Sequence, residues 1–389
     1  MGPLAGTFVQ PLMGVWSDSV DCRWGQRRPF IVGGAFGVLI GLMVLAGAPE
    51  LAGMFGFSRR VLAVAGVSMI LLSMQPLQMG ARALVAEQSP SDLVSQTNAW
   101  ASRWIGLGSV FGYLLGAFDL AGSIKTLFAI AAMLLVLSTV VTCWTVQEAL
   151  TMDKPRPKSP AGQLSPAIRQ IFKVQAFAWM AWFPFLYYGS TYVSEGSPIG
   201  PEALTWNRGS FSMFLFATTA FCFNLVLPRV LLYLETTGSS EKRSRSRTPL
   251  ATLWTIGHLS HATIMVCAWI VEGKGRIILV ALAGFDWSLT QWAPFALINE
   301  YLLEDELDAG IIMGLHNVAI SLPQILSALL TGCVLWGFRA MGARDELGIL
   351  LSLTVVPSLL AAYSAGQIDG VRSGPWLAEI DIDSDVDTP

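Results

Sequence analysis

Charge is scarce in this sequence. Of 389 residues, only 13% are Asp, Glu, Lys or Arg, about half the roughly 25% of a soluble globular chain, which excludes an ordinary water-exposed surface. The formal net charge of −3 is too small to draw the chain to nucleic acid. Histidine is almost absent: His258, His261 and His316 each lie in an apolar stretch, without the partners a metal site requires. There is no HExxH, no Walker A loop and no GxSxG, so metalloprotease, nucleotide-hydrolysing and serine-hydrolase chemistry are not expected, nor is a cofactor. The five cysteines, Cys22, Cys143, Cys222, Cys267 and Cys333, show no CxxC spacing and read as ordinary thiols. The opening MGPLAGTFVQP has neither the charged region nor the cleavage pattern of a signal peptide.

What fills the chain instead is apolar: 53% of residues are hydrophobic, with abundant glycine and tryptophan. Both are well tolerated in membrane bundles, glycine because helices can touch there and tryptophan because indoles sit at the interfaces. Long uncharged stretches run from Pro3 to Trp16, Pro29 to Ala48, Val61 to Ala86, Trp100 to Phe118, Leu127 to Val146 and Ile171 to Val193. Others run from Ser210 to Leu234, Leu250 to Val271, Ile277 to Leu303, Ile311 to Phe338 and Leu347 to Tyr363. Most approach the ~20 residues that cross a hydrocarbon core, so the expected fold is an all-α membrane protein with about eleven transmembrane helices.

Basic residues resist translocation, and they cluster in three connections. Arg23, Arg27 and Arg28 follow the first span, Lys154, Arg156, Lys158 and Arg169 lie in a proline-spaced central linker, and Lys242, Arg243, Arg245 and Arg247 follow the seventh. All three fall on one side if every stretch crosses once, which places them in the cytoplasm. The amino terminus is then outside, and the acidic tail with Glu379, Asp381, Asp383, Asp385 and Asp387 is cytoplasmic and expected to be disordered. The expected organisation is an amino-terminal helical half over 1–146, a linker over 147–170, a carboxyl-terminal half over 171–364 and a tail over 365–389. An odd number of spans suggests a six-plus-six bundle lacking its first helix, either through a truncated gene model or with a partner supplying the surface.

A series of ordered blocks carries a family resemblance. MGPLAGTFVQPLMGVWSD with RWGQRRPFIVGG, SMQPLQMGARALVAE, NAWASRWIGLGSVFGYLLGAFDL, AFAWMAWFPFLYYGSTYVSE, QWAPFALINEYL and GLHNVAISLPQ resemble the sucrose/proton symporters of the glycoside-pentoside-hexuronide branch of the major facilitator superfamily. The blocks look particularly like its fungal members and the related animal proton-associated sugar transporters, and the likeness runs from Gly2 to about Gly337. It implies the major facilitator fold in the plasma membrane or an internal membrane, a small sugar such as sucrose and a proton as partners, and alternating access. A transport-inactive sugar sensor is the rival reading.

Individual residues can then be weighed. Gly14 lets two helices touch, and Asp18 at a helix end can meet Arg27 and Arg28 across the short loop. The resemblance implies a gating role for this loop, although Gln26 stands where the family usually carries a third basic residue; a positive-inside anchor is the simpler alternative. Arg82 lies about 7 Å inside the end of its span, and Glu87 stands at that end, about 140° around the helix. By resemblance these match a fourth-helix arginine and a nearby acid tied to proton-coupled sugar uptake, so Arg82 is expected to bind substrate and Glu87 to couple protons. A snorkelling Arg82 and a surface Glu87 stay open. Arg103, in the next span, is placed to neutralise Glu87.

Asp286 is sharper, because a carboxylate near the middle of a span is costly unless paired or protonated. No neighbour on its own helix neutralises it, and it is a second proton-coupling candidate, although the family carries an uncharged residue there. After the FPF block this chain has Gly189, Ser190 and Thr191 where plant relatives carry acids, with Glu195 farther out. Sugar binding needs amides and aromatic faces in a concave site. Within the spans these are Gln75, Gln78, Asn98, Trp179, Trp182, Tyr187, Trp287, Gln291, Trp292 and Asn317, of which Gln78, Asn98, Trp182, Gln291 and Asn317 are preferred. An interface belt or plain packing is the alternative for each aromatic.

Overall fold

The computed structural model describes residues 2–20, 22–89, 93–118, 122–146, 148, 164–195, 208–237, 249–305, 309–343 and 345–368. Lys154, Arg156 and Lys158 of the central linker, the Lys242 to Arg247 loop and the acidic tail from 369 onward lie outside them. All regular structure among the described residues is helical. The amino-terminal set is α1 (Gly2–Ser19), α2 (Arg28–Ala46), α3 (Ala48–Phe55), α4 (Arg59–Gln88), α5 (Val94–Ala117) and α6 (Ile124–Thr145). The carboxyl-terminal set is α7 (Pro166–Glu195), α8 (Arg208–Thr237), α9 (Pro249–Cys267), α10 (Gly275–Leu282), α11 (Gly284–Asp305), α12 (Ala309–Ala340), α13 (Glu346–Leu353) and α14 (Val355–Ala365).

Each of the eleven apolar stretches is helical. Two are broken: the ninth bends at Ala283 between α10 and α11, and the last at Thr354 between α13 and α14. The short α3 was not anticipated; eight residues fall below the length of a span. Among the described residues seven helical stretches are long and apolar enough to cross a membrane by length and composition. Pro11, Pro76, Pro184, Pro228, Pro294 and Pro323 sit inside helices, where packing against neighbouring helices accommodates the freed carbonyls.

α6 shows what the surrounding solvent must be. None of its residues is buried, and Leu137 and Trp144 are 58% and 85% exposed. The helix rests on α2 along one side and leaves the rest of its apolar surface open, which water would penalise and lipid does not. Because lipid tails are as apolar as leucine, close packing rather than transfer from water holds the other helices together.

The packed interior falls into two clusters with different ownership. The first contains Phe30 and Ala86 from the amino-terminal set with Ile168, Leu231, Leu250, Ile298, Ile312 and Ala365 from the other. These residues come from the ends of helices next to the basic connections, so both sets are sealed together at that end. The second cluster, with Val193, Met213, Ala268, Leu279, Leu335 and Leu347, draws its buried residues from α7 to α14 alone. Between the sets, α1 packs on α12, and α5 packs on α8 and α11.

Candidate functional site

The basic-connection end is closed by a charged cluster centred on Arg27, which is 2% exposed. Its Nη2 lies 2.5 Å from Asp18 Oδ1, and the same nitrogen is paired with Glu87 Oε1. Nε also donates to Glu87 at 3.1 and 3.2 Å, and Nη1 donates to the Ser17 hydroxyl. One planar guanidinium thereby ties the end of α1 to the end of α4, the forked recognition that lysine does not reproduce. Burial works against the Arg27 charge, but the Glu87 hydrogen bond and charge, followed by Asp18, outweigh it, and the pKa is raised.

Asp18 has a second partner, in the other set. Its Oδ2 accepts the Ile311 backbone N–H at 2.9 Å, one of the unsatisfied donors in the first turn of α12, where a carboxylate also complements the helix dipole. The contact requires glycine on both sides: a Cβ on Gly310 would strike the Asp18 carboxylate, and a Cβ on Gly14 would strike the Gly310 carbonyl.

Arg28 does not join this cluster. Glu148, after α6, accepts from the backbone N–H groups of Arg27 at 2.8 Å and Arg28 at 3.0 Å, and the Arg28 Nε is 3.9 Å from it. The carboxylate caps the start of α2 and holds Arg28 on its own side. Gly25, at φ +104°, has no room for a side chain against Glu148. Arg103 does not meet Glu87 either. Its Nε donates to the Asn224 carbonyl of α8 at 3.2 Å, and its guanidinium lies 4.4 Å from the Trp100 ring centroid. The α5 face that carries it turns toward α8, and Glu87 is already held by Arg27.

Arg82 and Glu87 are likewise apart. Arg82 lies 4.5 Å from the Phe295 ring centroid, its Nη1 is buried without a hydrogen-bond partner, and no carboxylate pairs with it among the described residues. The Phe295 ring packs on His316, whose Nε2 is 2.8 Å from Gln175 Nε2.

Asp286 is fully buried in the first turn of α11, with His258 Nδ1 of α9 at 3.6 Å. Among the described residues neither carboxylate oxygen has a hydrogen-bond partner, nor does His258 Nε2. His261, one turn along α9, instead meets the Ser358 hydroxyl at 2.8 Å. Gly257 makes the room: a Cβ there would lie 2.6 Å from Asp286 Oδ1 and 2.8 Å from Leu289 Cδ1. Gly257→Ala should therefore already overpack this site, by about 1–3 kcal/mol, and lower the thermal-unfolding midpoint below the parent's; an unchanged midpoint would show that the site is loose.

The expected sugar-binding residues are scattered. Asn317 donates to the Gly6 carbonyl at 2.9 Å and to Ser321 Oγ at 3.2 Å, which commits its amide to the α1–α12 contact. Asn98 accepts from Asn299 across α5 and α11 at 3.4 Å. Trp182 is fully buried against His261 and Trp287, at 4.2 and 4.9 Å between ring centroids, and presents no open face. Gln78 is half-buried on α4. Gln291 does line a cleft, between α5, α7, α8 and α11. Sequence reasoning missed Ser17, Glu148 and Asn224; the lone amide of Asn224 in an apolar stretch was the available signal for the last.

Residues 2–328 match the family model described as Major Facilitator Superfamily. A general alpha-glucoside permease of Schizosaccharomyces pombe is 26% identical over 93% of this chain and 84% of its own length. A sucrose transport protein of Oryza sativa subsp. indica is 23% identical over 97% of this chain and 82% of its own. Among solved structures, the E. coli fucose:proton symporter superposes with a TM-score of 0.62 at 15% identity, covering 94% of this chain and 89% of that one.

Proposed function

Since the chain belongs to the major facilitator superfamily, and is thus a multi-pass membrane transporter, we propose that it is a proton-coupled carrier of sucrose or a related α-glucoside in the plasma membrane. The substrate class rests on its similarity to an alpha-glucoside permease and to sucrose transport proteins. The observation that carries the mechanism is the double engagement of Asp18, which holds Arg27 within one set of helices and caps α12 of the other.

In this reading the halves 1–146 and 171–364 rock about a midplane site, and the Asp18–Arg27–Glu87 cluster latches the cytoplasmic side. A proton taken up by Glu87 leaves Arg27 with Asp18 as its one anion. Arg27 then competes harder for the carboxylate that Ile311 also uses, and the cross-half contact weakens. Asp286 with His258 supplies a second protonatable site inside the carboxyl-terminal half. Arg82, held against Phe295 and without a carboxylate partner among the described residues, is a cation available to bind sugar hydroxyls or an acid.

Glu87→Gln tests the latch, because glutamine keeps the hydrogen-bonding shape but cannot carry the proton. Radiolabelled sucrose uptake into vesicles should lose its dependence on external pH, while sugar exchange at equal pH persists. An unchanged pH dependence would remove Glu87 from coupling. Absence of uptake of sucrose, maltose and glucose by correctly inserted protein would favour a sensor.

A further inference from the structure

The cleft that Gln291 lines also contains an amide that nothing among the described residues satisfies. Asn224 lies near the middle of α8 and is 1% exposed, yet neither its Oδ1 nor its Nδ2 has a hydrogen-bond partner. A buried amide left unpaired in the resting protein is costly, and such groups occur where a ligand completes them. The wall opposite is open for a local reason. Gly106 of α5 faces Asn224, and a Cβ there would come 3.5 Å from Nδ2 and 3.3 Å from Phe221. One turn back on the same face of α5, Arg103 clamps the Asn224 backbone carbonyl, which fixes α8 against α5 while leaving the side-chain amide free.

The rest of the lining matches a sugar. Gln291 offers a second amide, Ser109 a hydroxyl, and Trp287 and Tyr113 aromatic surface. The Trp287 ring is held by Phe216 and Trp182, at 5.9 and 4.9 Å between centroids. No charged side chain lines the cleft among the described residues, which disfavours anions and amino acids. Amides paired with aromatic rings are what a neutral pyranose requires, with donors and acceptors for adjacent hydroxyls and flat surfaces for its C–H faces.

We propose that Asn224, with Gln291 beside it and Trp287 and Tyr113 as walls, forms a hydroxyl-reading subsite for a neutral pyranose at the α5–α8–α11 junction. The proposal deepens the sugar-transport reading and rests on it. Asn224 sets affinity and selectivity among sugars, and Arg103 acts as a positioning residue through the α8 backbone.

The test uses full-length protein in vesicles, with radiolabelled sucrose, maltose and glucose as probes and Asn224→Leu as the main variant. Leucine keeps the Cγ branching of asparagine and, although larger, removes the unpaired amide, so the variant should fold without an uncompensated buried polar group. Its KM for the transported sugar should rise about tenfold, equivalent to about 1.4 kcal/mol, with the maximal rate per inserted copy retained. Asn224→Ser, which keeps one hydroxyl, should recover part of the affinity. An unchanged KM in Asn224→Leu, or a fall in thermal stability with KM intact, would show a structural amide and overturn the proposal while leaving sugar transport standing. Failure of the unmodified protein to transport any of the three sugars would overturn both readings.

Discussion

Arg27→Ala is expected to disable the carrier and to destabilise it at the same time. The substitution leaves Asp18, whose side chain is 8% exposed, and Glu87, 30% exposed, as neighbouring carboxylates without their shared cation. Breaking a buried pair by removing one partner costs about 3–5 kcal/mol, and here one removal breaks two pairs and the hydrogen bond to Ser17. The thermal-unfolding midpoint of the detergent-solubilised protein should fall clearly below that of Arg27→Lys, which keeps the charge and loses the fork. In vesicles, Arg27→Ala should lose sucrose uptake, because Asp18 no longer holds a defined position beneath Ile311. Arg27→Lys should retain part of it. A thermally unaltered, fully active Arg27→Ala would mean that the cluster is a surface ornament and that α1 and α12 are held by their glycine contact alone.

Asp286→Asn is expected to separate sugar movement from the proton gradient. Asparagine preserves shape at a site with no spare volume, where Gly257 and Leu289 already crowd the carboxylate, but it cannot exchange a proton with His258. One pH unit across the membrane is worth about 1.4 kcal/mol per coupled proton, enough for about tenfold sugar accumulation. The variant should equilibrate sugar without concentrating it, and its uptake should be flat between acidic and neutral external pH. The variant no longer buries a carboxylate that lacks a hydrogen bond among the described residues, so its thermal midpoint should match or exceed that of the parent. Accumulation and pH dependence like the parent's would make the Asp286–His258 pair a packing feature.

The sequence made helices easier to find than their neighbours. Long apolar stretches located every major helix because lipid leaves so few alternatives, but α3 was too short to register, and the break at Ala283 left no trace in composition. Asp18 and Arg27 were linked in advance because a short loop separates them. Glu87 was given the wrong cation, since depth along a span can be counted while the rotation of one helix against the next cannot: Arg103 faces α8, and Arg27 arrives from α2. The same limit hid His258 from Asp286, which share a site only once α9 and α11 pack together. Asn317 looked like a free amide in a span and is spent on the Gly6 carbonyl. The lone amide of Asn224 in an apolar helix is visible in the sequence, but that both its polar atoms are buried without a partner is visible only once α5 and α8 pack together.

The most direct test of the account is whether sugar and proton travel together. Addition of sucrose to de-energised cells expressing the protein, in an unbuffered acidic medium with a pH electrode outside, should produce immediate alkalinisation of the medium. Mannitol should produce none, and Asp286→Asn should abolish the signal while labelled sucrose still enters. Sucrose entry by the unmodified protein with no accompanying alkalinisation would contradict proton coupling.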